Sequence, residues 1–507
     1  MKATKILSLL LALVTLVCAL SLFTACDGPN GPKDDPGDRV NGSWEGVDFD
    51  GQELKMAVSV NQYVECTFPA ADIYTKGPDK ANSNEVCKEV LARNSRAVED
   101  LGIEITYIEK DLTYDKVPED VRTIVQTASK NSPDIYNNDI WGLARVMNQG
   151  LLWNCKNAGD DVKNYFDFNA DGWYTEFIKG STFDQEKLYL FAGDYFIDMI
   201  RMAWVVLVNN DILTANLKKM PKWCGSVDEF YEYVGEGFWD FDVLGDIVSR
   251  VSADGAGGIM GETEKTDALI GFGYNNVTHW AFLPSTGVTI FYQDKADGYK
   301  PKVIENIDTF QKVANKWQAM VNQFGTFFEI YPQDCTATFM GNNVLFCSSR
   351  LGEMESPALR DVNFAKGVIP VPKWDLDMQE DYHTIVHDQT EIGCILNTAQ
   401  SFSAASAFMQ YVNEESDKVI YAYFEKGLKY KYNDDKNSRE MMDIIRATTD
   451  TPFGSLIGKL SKDLYTGTGA LHDITLNSTT IASTFGSEKD AYRDCLQKMI
   501  TKFAEFD

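Results

Sequence analysis

The longest apolar stretch of the chain is its first. Lys2 and Lys5 precede a run from Ile6 to Phe23 broken only by Ser8, Thr15, Ser21 and Cys18, and small residues then lead into Cys26. A basic start, an apolar run and a small-residue exit form an export leader. The run also just reaches the length of a membrane span, and in either case the leading lysines place the rest of the chain outside the cell. The pattern then disappears. Asp27 to Gly46 holds five glycines and three prolines with Asp34, Asp35, Asp38 and Glu45. Such a segment has too little apolar surface to fold, and as a flexible tether it reaches about 25 Å. The folded body is expected to begin near Gly51.

Periodicity returns there. Glu53 to Val60 alternates as a strand does, and Asn84 to Leu101 carries Val86, Val90, Leu91, Val98 and Leu101 at helical spacing, ended by Gly102. Ile103 to Ile108 alternates again. Val117 to Ala128 is a second helix, with Pro118 tolerable in its first turn. Pro133 to Tyr136 starts a third strand, and Trp141 to Gln149 a third helix. This β-α-β-α-β-α order predicts a parallel sheet flanked by helices. Further along, short strands are expected at Leu188 to Ala192, Trp204 to Val208, Asn343 to Cys347, Gly367 to Val371 and Glu391 to Leu396. Asn209-Asn210-Asp211 reads as the cap of a short helix. Longer helices are expected at Val227 to Val234, Phe241 to Val251, Glu305 to Phe324, Ser403 to Asn413, Lys418 to Lys426, Ser438 to Ala447 and Asp490 to Phe506.

Composition narrows the function. The 507 residues carry a net charge of −28, and without the leader's two lysines the remainder stands at −30. This acidity argues against nucleic acid and against an electrostatic grip on anionic lipid. Besides Cys18 and Cys26 the cysteines are Cys66, Cys87, Cys155, Cys224, Cys335, Cys347, Cys394 and Cys495, with none in C-x-x-C spacing, so zinc-ribbon and thioredoxin-type sites are not indicated. His383 and His387 form H-x-x-x-H beside Asp388, but on a strand or loop rather than a helix, so no metal is assigned. No G-x-S-x-G and no Walker loop occur, and four histidines leave few catalytic triads. Aromatic residues make up 12% of the chain. Trp and Tyr at polar, turn-like places suit carbohydrate, whose apolar ring faces stack on flat aromatic surfaces.

Several motifs, in order, carry a resemblance. Leu22-Phe23-Thr24-Ala25-Cys26 resembles the lipobox of bacterial lipoproteins, with Phe23 where Leu is usual. This implies cleavage before Cys26 and diacylglycerol on its thiol. The buried strand from Trp204 followed by Asn-x-Asp is similar to the strand–helix signature of extracellular solute-binding proteins of ABC importers. Gly237-Phe238-Trp239-Asp240-Phe241 is similar to that family's G-x-W-[ST]-[FY] lead-in. Phe339 to Phe346 resembles its M-x-x-G-x-x-A-L/M stretch, Gly367-Val368-Ile369-Pro370-Val371-Pro372-Lys373 its G-V-x-P-x-P-K strand, and Ala407 to Tyr411 its A-x-x-F-x-x-Y helix. The resemblance implies a carbohydrate-type, maltose-binding-protein-like member. Its expected fold is α/β and two-lobed, a periplasmic-binding-protein-like fold of type II, with an interlobe cleft and hinge crossings. Ligand binding closes such lobes without making or breaking bonds. Asp254 to Glu262 sits where some relatives carry a Ca²⁺ loop, but acidic positions are sparse there and no calcium is carried over.

The expected organisation is a leader at 1–25, a tether at 26–50, a first lobe from 51–185 plus 388–450, and a second from 186–387 plus 451–507. The expected function is a lipid-anchored, extracellular solute-binding protein, not an enzyme. It would be a monomer that passes a small-molecule ligand, an oligosaccharide, to ABC permease subunits without a cofactor. A receptor presenting ligand to a membrane sensor and a secreted lipoprotein hydrolase are the alternatives. Candidate ligand-binding residues lie at strand ends and loop tips. They are Asp139 and Trp141 after the third strand, Trp173 and Tyr174 after a polar loop, Asp194 and Tyr195 at a strand end, Trp280 in a loop, Arg350 after the strand ending at Cys347, Trp374 after the proline-rich strand, and His387 before the returning strand. Cys26 is the lipidation candidate.

Overall fold

A computed structural model describes residues 36, 44–61, 72–77, 84–183, 186–252, 269–275, 277–297, 299–323, 325–329, 335–433, 435–451, 456–457 and 481–506. The apolar leader, Cys26 and the segment Asp254 to Glu262 lie outside the described residues. Among the described residues no helix is long and apolar enough to cross a membrane.

The strands of the two main sheets, in chain order, are β1 (Gln52–Ser59), β2 (Ile103–Lys110), β3 (Ile135–Asp139), β4 (Trp204–Asn209), β5 (Ile270–Asn275), β6 (Thr326–Glu329), β7 (Val344–Arg350), β8 (Lys366–Pro370) and β9 (Glu391–Ile395). The first sheet has the order β9-β3-β1-β2, with β1, β2 and β3 parallel and β9 antiparallel to β3. The second has the order β6-β5-β7-β4-β8, in which β5, β6 and β7 are parallel and β4 runs antiparallel to β7 and β8. This is the type II two-lobed α/β architecture that the sequence motifs imply. One apolar core fills the first sheet and continues along one face of the second, through Val205, Leu207, Cys347 and Val368. A separate core covers the other face, where Val206, Val208, Phe346 and Ile369 meet Trp239, Phe241, Phe282 and Trp317.

Local sequence explains most element ends. Asn84 caps the helix Glu85–Leu101 by accepting from Val86 N–H, and Gly102, at φ 59°, closes it in the left-handed region. Asn209 accepts from Ile212 N–H and starts the helix Asn210–Asn216. Other expectations need correction. The helix expected over 141–149 ends at Ala144 and gives way to turns. The strand expected over 188–192 survives only as Lys187–Leu188, because beyond it the pairing is isolated: Phe191 exchanges backbone hydrogen bonds with Gly393, both at 2.9 Å, and Ala192 C=O accepts from Tyr174 N–H at 3.1 Å. Trp280 sits in a short helix, His279–Phe282, rather than a loop, and Arg350 belongs to its strand rather than following it. The final helix begins at Ile481, earlier than expected.

Close approach at Gly393 is a packing constraint. A β-carbon there would meet the Phe191 ring, the Tyr195 hydroxyl at 2.7 Å and Asn137 Oδ1 at 2.9 Å. Gly393→Ala is therefore expected to cost about 1–3 kcal/mol of stability by overpacking. Chemical denaturation measures it, and a loss below about 0.5 kcal/mol would mean that the segment yields freely.

Candidate functional site

The strand directions define where a site can form. The C-terminal ends of β1, β2 and β3 are Ser59, Lys110 and Asp139, and β9 begins beside them at Glu391, which pairs with Asp139. On the second sheet the matching edge is Asn275, Arg350 and Pro370, with β4 starting beside them at Trp204. The chain reaches Trp204 from the first-sheet side through 196–203 and returns to Glu391 through 386–390. Both edges thus open onto the crossings, and open α/β sheets place ligands at such edges. The crossings are bound to one another. Ala203 bridges Val386, Met202 C=O accepts from His387 N–H at 2.8 Å, and Ala203 C=O accepts from Leu351 N–H at 2.8 Å. Thr384–Ile385 pairs in parallel with Thr449–Asp450 alongside.

Asp139, Trp141, His387 and Arg350 come together here. Asp139 is buried and caps the short helix Ile140–Ala144 by accepting from Gly142 N–H at 2.6 Å. Burial pushes its carboxyl up to about 7, and Asp388 pushes the same way. The Gly142 N–H and the charges of Arg145 and His387 oppose the rise. Ile140 N–H donates to Thr390 C=O at 2.9 Å and Trp141 N–H to Asp388 C=O at 3.1 Å, so the helix is docked on the returning crossing. His387 contacts the Asp388 carboxylate at 3.2 Å through Nδ1 and stacks on Trp204 with ring centroids 5.6 Å apart. Arg350 lies over the same indole at 5.4 Å and pairs with Glu353 at 3.5 Å. His383 goes elsewhere, facing Asp450 at 3.7 Å, so the H-x-x-x-H pair does not converge.

The remaining candidates are placed differently. Trp173 is buried in an aromatic cluster with Phe166, Phe168, Phe191 and Tyr195, its Nε1–H donating to Gln410 Oε1 at 3.0 Å. Tyr195 belongs to that core, and its backbone C=O accepts from Arg93 at 2.9 Å. Tyr174 and Asp194 form a second group with Arg446, whose guanidinium is 3.3 Å from Asp194. Burial raises both the Tyr174 hydroxyl and the Asp194 carboxyl above their ordinary ranges, and Arg446 works against the rise in each. The helix Lys436–Ala447 that carries Arg446 packs on β8 of the second sheet, so this ion pair joins elements of both halves. Trp280 contacts His279 at a ring distance of 5.0 Å. Trp374 is buried in the second core beneath Lys316, at 5.7 Å.

Sequence reasoning missed several neighbours of the site. Tyr114, in the loop after β2, stacks on Trp141 with centroids 4.7 Å apart and planes 27° from parallel. Arg145 lies 5.8 Å from the Tyr114 ring and 5.5 Å from that of Trp141. The strand-end rule that selected Trp141 selects Tyr114 equally. Beneath the crossings, Arg201 contacts Asp198 at 3.3 Å and Glu355 at 3.0 Å and lies over Tyr74 at 4.9 Å, while Tyr423 donates to Glu355. Asp198 also accepts from Glu391 N–H at 3.0 Å. The edge itself carries unmet hydrogen-bonding capacity: buried Asn137 Nδ2 and Oδ1, Asn138 Nδ2, Gln389 Oε1 and Thr390 Oγ1 have no partner.

This architecture is that of the type II solute-binding proteins, two α/β lobes joined by crossings at a cleft. No protein-family model and no curated protein matches the chain. Solved structures do match its fold. The GacH receptor of Streptomyces glaucescens, solved unliganded and with acarbose, superposes with a TM-score of 0.52 at 10% identity, covering 88% of this chain and 99% of its own. The galacto-N-biose/lacto-N-biose I-binding protein of the ABC transporter from Bifidobacterium longum gives 0.52 at 10%, covering 89% and 98%. The cyclic α-maltosyl-1,6-maltose binding protein of Arthrobacter globiformis gives 0.52 at 12%, covering 88% and 100%.

Proposed function

We propose that the chain is an extracellular solute-binding protein that captures an oligosaccharide at the crossing edge by lobe closure and hands it to an ABC importer. The observation that carries this reading is the set of unpartnered buried polar atoms on Asn138, Gln389 and Thr390, near the strand end that carries Trp141 and its stack on Tyr114. An unmade buried hydrogen bond costs about 1–3 kcal/mol, so such atoms gather where a polar guest or ordered water completes them. Several adjacent donors and acceptors beside a flat aromatic face suit a polyhydroxylated ring better than an ion or an aliphatic chain. The solved structures of the same fold are sugar-binding proteins by their descriptions, which supports the same class here. Within this reading Asp139, Trp141, His387 and Arg350 border the ligand, joined by Tyr114. Trp173, Tyr195 and Trp374 support it from the cores.

The finer parts of the proposal rest on sequence and on packing. Cys26 carries the lipid, the tether ends before Trp44 rather than at residue 50, since Trp44 is already packed in the first core against Tyr165 and Tyr411, and the body works as a monomer outside the cell. The first lobe takes 186–203 together with 51–185 and 388–433, since Phe191 bonds Gly393 of the first sheet, and the second takes 204–387 with the helix Lys436–Ala447, since that helix packs on β8. Capture involves no bond chemistry. The test is a thermal-shift screen across neutral and acidic oligosaccharides, peptides and polyamines, followed by calorimetry on the best binder. A ligand present at 100 times its Kd should add about 2.7 kcal/mol of stability. Trp141→Ala should weaken binding by about 10-fold, the value of roughly 1–1.5 kcal/mol of aromatic contact. Stabilisation by peptides or polyamines but by no saccharide would overturn the reading.

A further inference from the structure

Cations inside a folded protein are almost always paired, because leaving a guanidinium without an acceptor forfeits hydrogen bonds that water would otherwise supply. The arginines described here follow that rule, apart from Arg360, which is exposed to water and lies over the Tyr432 ring. Arg93 donates to Tyr195 C=O, Ser416 and Asn94; Arg96 pairs with Glu415, Arg201 with Asp198 and Glu355, Arg350 with Glu353, Arg446 with Asp194 and Arg493 with Glu305. Arg439 donates to Lys429 C=O. Arg145 departs from it. It is half-buried, yet among the described residues its guanidinium has neither an ion pair nor a hydrogen bond, only the faces of Tyr114 and Trp141.

Its position makes that vacancy informative. Arg145 is the C-cap of the short helix Ile140–Ala144 and stands one turn after Trp141, on the same side. Its charge is close enough to Asp139 to act on that carboxyl, but the carboxyl bonds the Gly142 N–H instead. Asp388, the other nearby acid, is at 3.2 Å from His387. A planar guanidinium held against two aromatic rings keeps its in-plane donors for a planar, two-oxygen acceptor.

We propose that the ligand is an acidic saccharide, and that Arg145 receives its carboxylate or sulfate while Trp141 and Tyr114 meet the adjoining sugar face. This deepens the saccharide reading above and rests on it. The Asn138, Gln389 and Thr390 atoms without partners then serve the neutral hydroxyls, and Arg145 sets the charge preference. The strongly acidic body repels anions at long range, so the preference is carried by this local contact.

The experiment compares matched pairs: α-1,4-trigalacturonate and β-1,4-trimannuronate, each against its carboxyl-reduced neutral counterpart, plus sulfated and desulfated chondroitin disaccharides. Binding is measured by calorimetry to the wild type and to Arg145→Gln and Arg145→Lys. Charge-assisted hydrogen bonds predict that an acidic member binds about 10- to 100-fold more tightly than its neutral partner. Arg145→Gln should erase the ratio, and Arg145→Lys, a point charge without the fork, should keep part of it. The carboxylate and sulfate pairs tell the two anions apart. Neutral members binding as tightly as acidic ones, or a preference that survives Arg145→Gln, would overturn the assignment and leave the saccharide reading standing. If no member of either series binds while the thermal-shift screen finds another saccharide, the acidic assignment falls and the saccharide reading stands; if that screen finds no saccharide either, the saccharide reading falls on its own test. The wild-type comparison decides even if a variant is unstable.

Discussion

Replacing Arg201 by methionine should destabilise the protein by about 3–5 kcal/mol, the usual cost of removing one partner from a buried ion pair. Arg201 is 1% exposed, and it is the cation shared by Asp198 on the outgoing crossing and Glu355 beyond the second sheet. Tyr74 lies against the guanidinium, and Tyr423, on the π-helical stretch Tyr421–Lys431, donates to Glu355. Asp198 also holds the first residue of β9 through Glu391 N–H. Without Arg201 two carboxyls would remain buried with no cation. Burial already raises the Asp198 carboxyl despite Arg201, so in the variant Asp198 should take up a proton. Folded carboxyls that titrate above their unfolded values bind more protons than the unfolded chain, so stability falls as pH rises. The deficit should therefore be smaller near pH 5 than near pH 8. Arg201→Lys should recover part of it, and Arg201→Met combined with Glu355→Gln should cost less than the single change, since one stranded charge is removed. Urea denaturation at the two pH values gives all of these numbers. A single variant within about 1 kcal/mol of wild type at pH 8 would mean that water reaches the cluster.

The parts of this fold that sequence reveals are those whose determinants are local. β1, the helix Glu85–Leu101 and the Asn209 cap each carry their own periodicity or capping side chain. β5 does not. Ile270-Gly271-Phe272-Gly273-Tyr274-Asn275 is weakened as a strand by its glycines, and one of them answers to a distant partner: a β-carbon on Gly271 would stand 2.9 Å from Val248 Cα. The reason for the glycine is thus a helix more than twenty residues away. The site divides in the same way. Asp139 and Trp141 are found by following a parallel strand to its end. Arg201 and Glu355 are 154 residues apart, and no local pattern joins them. Trp173 is instructive in another sense. An indole after a polar loop reads equally as a cleft platform or a core residue, and only the surrounding Phe166, Phe168 and Phe191 decide that it is enclosed.

Asp139→Asn should abolish the part of the pH dependence of stability that arises at the crossing edge. Asparagine caps a helix about as well as aspartate, so the bond to Gly142 N–H is retained. What disappears is a buried titration. Folded, the Asp139 carboxyl titrates at about 7, burial being the main cause. Unfolded, it titrates near the ordinary aspartate value of ~3.9. Between those two values the folded chain holds the proton and the unfolded chain does not. The wild type is therefore favoured below about pH 4 and loses that advantage as pH rises through 7, a total of ~4 kcal/mol. The groups that set the balance are Asp388, which disfavours the charge, and Arg145 and His387, which favour it. The asparagine variant has no such proton. The two proteins should be close in stability at pH 4, and the variant should lead increasingly from pH 5 to pH 8. Denaturation midpoints across that range measure the gap, together with a second series on Trp141→Ala, which leaves the carboxyl in place and should run parallel to wild type. Parallel curves for wild type and Asp139→Asn would mean that Asp139 keeps an ordinary aspartate titration when folded, with Arg145 and His387 offsetting the cost of its burial.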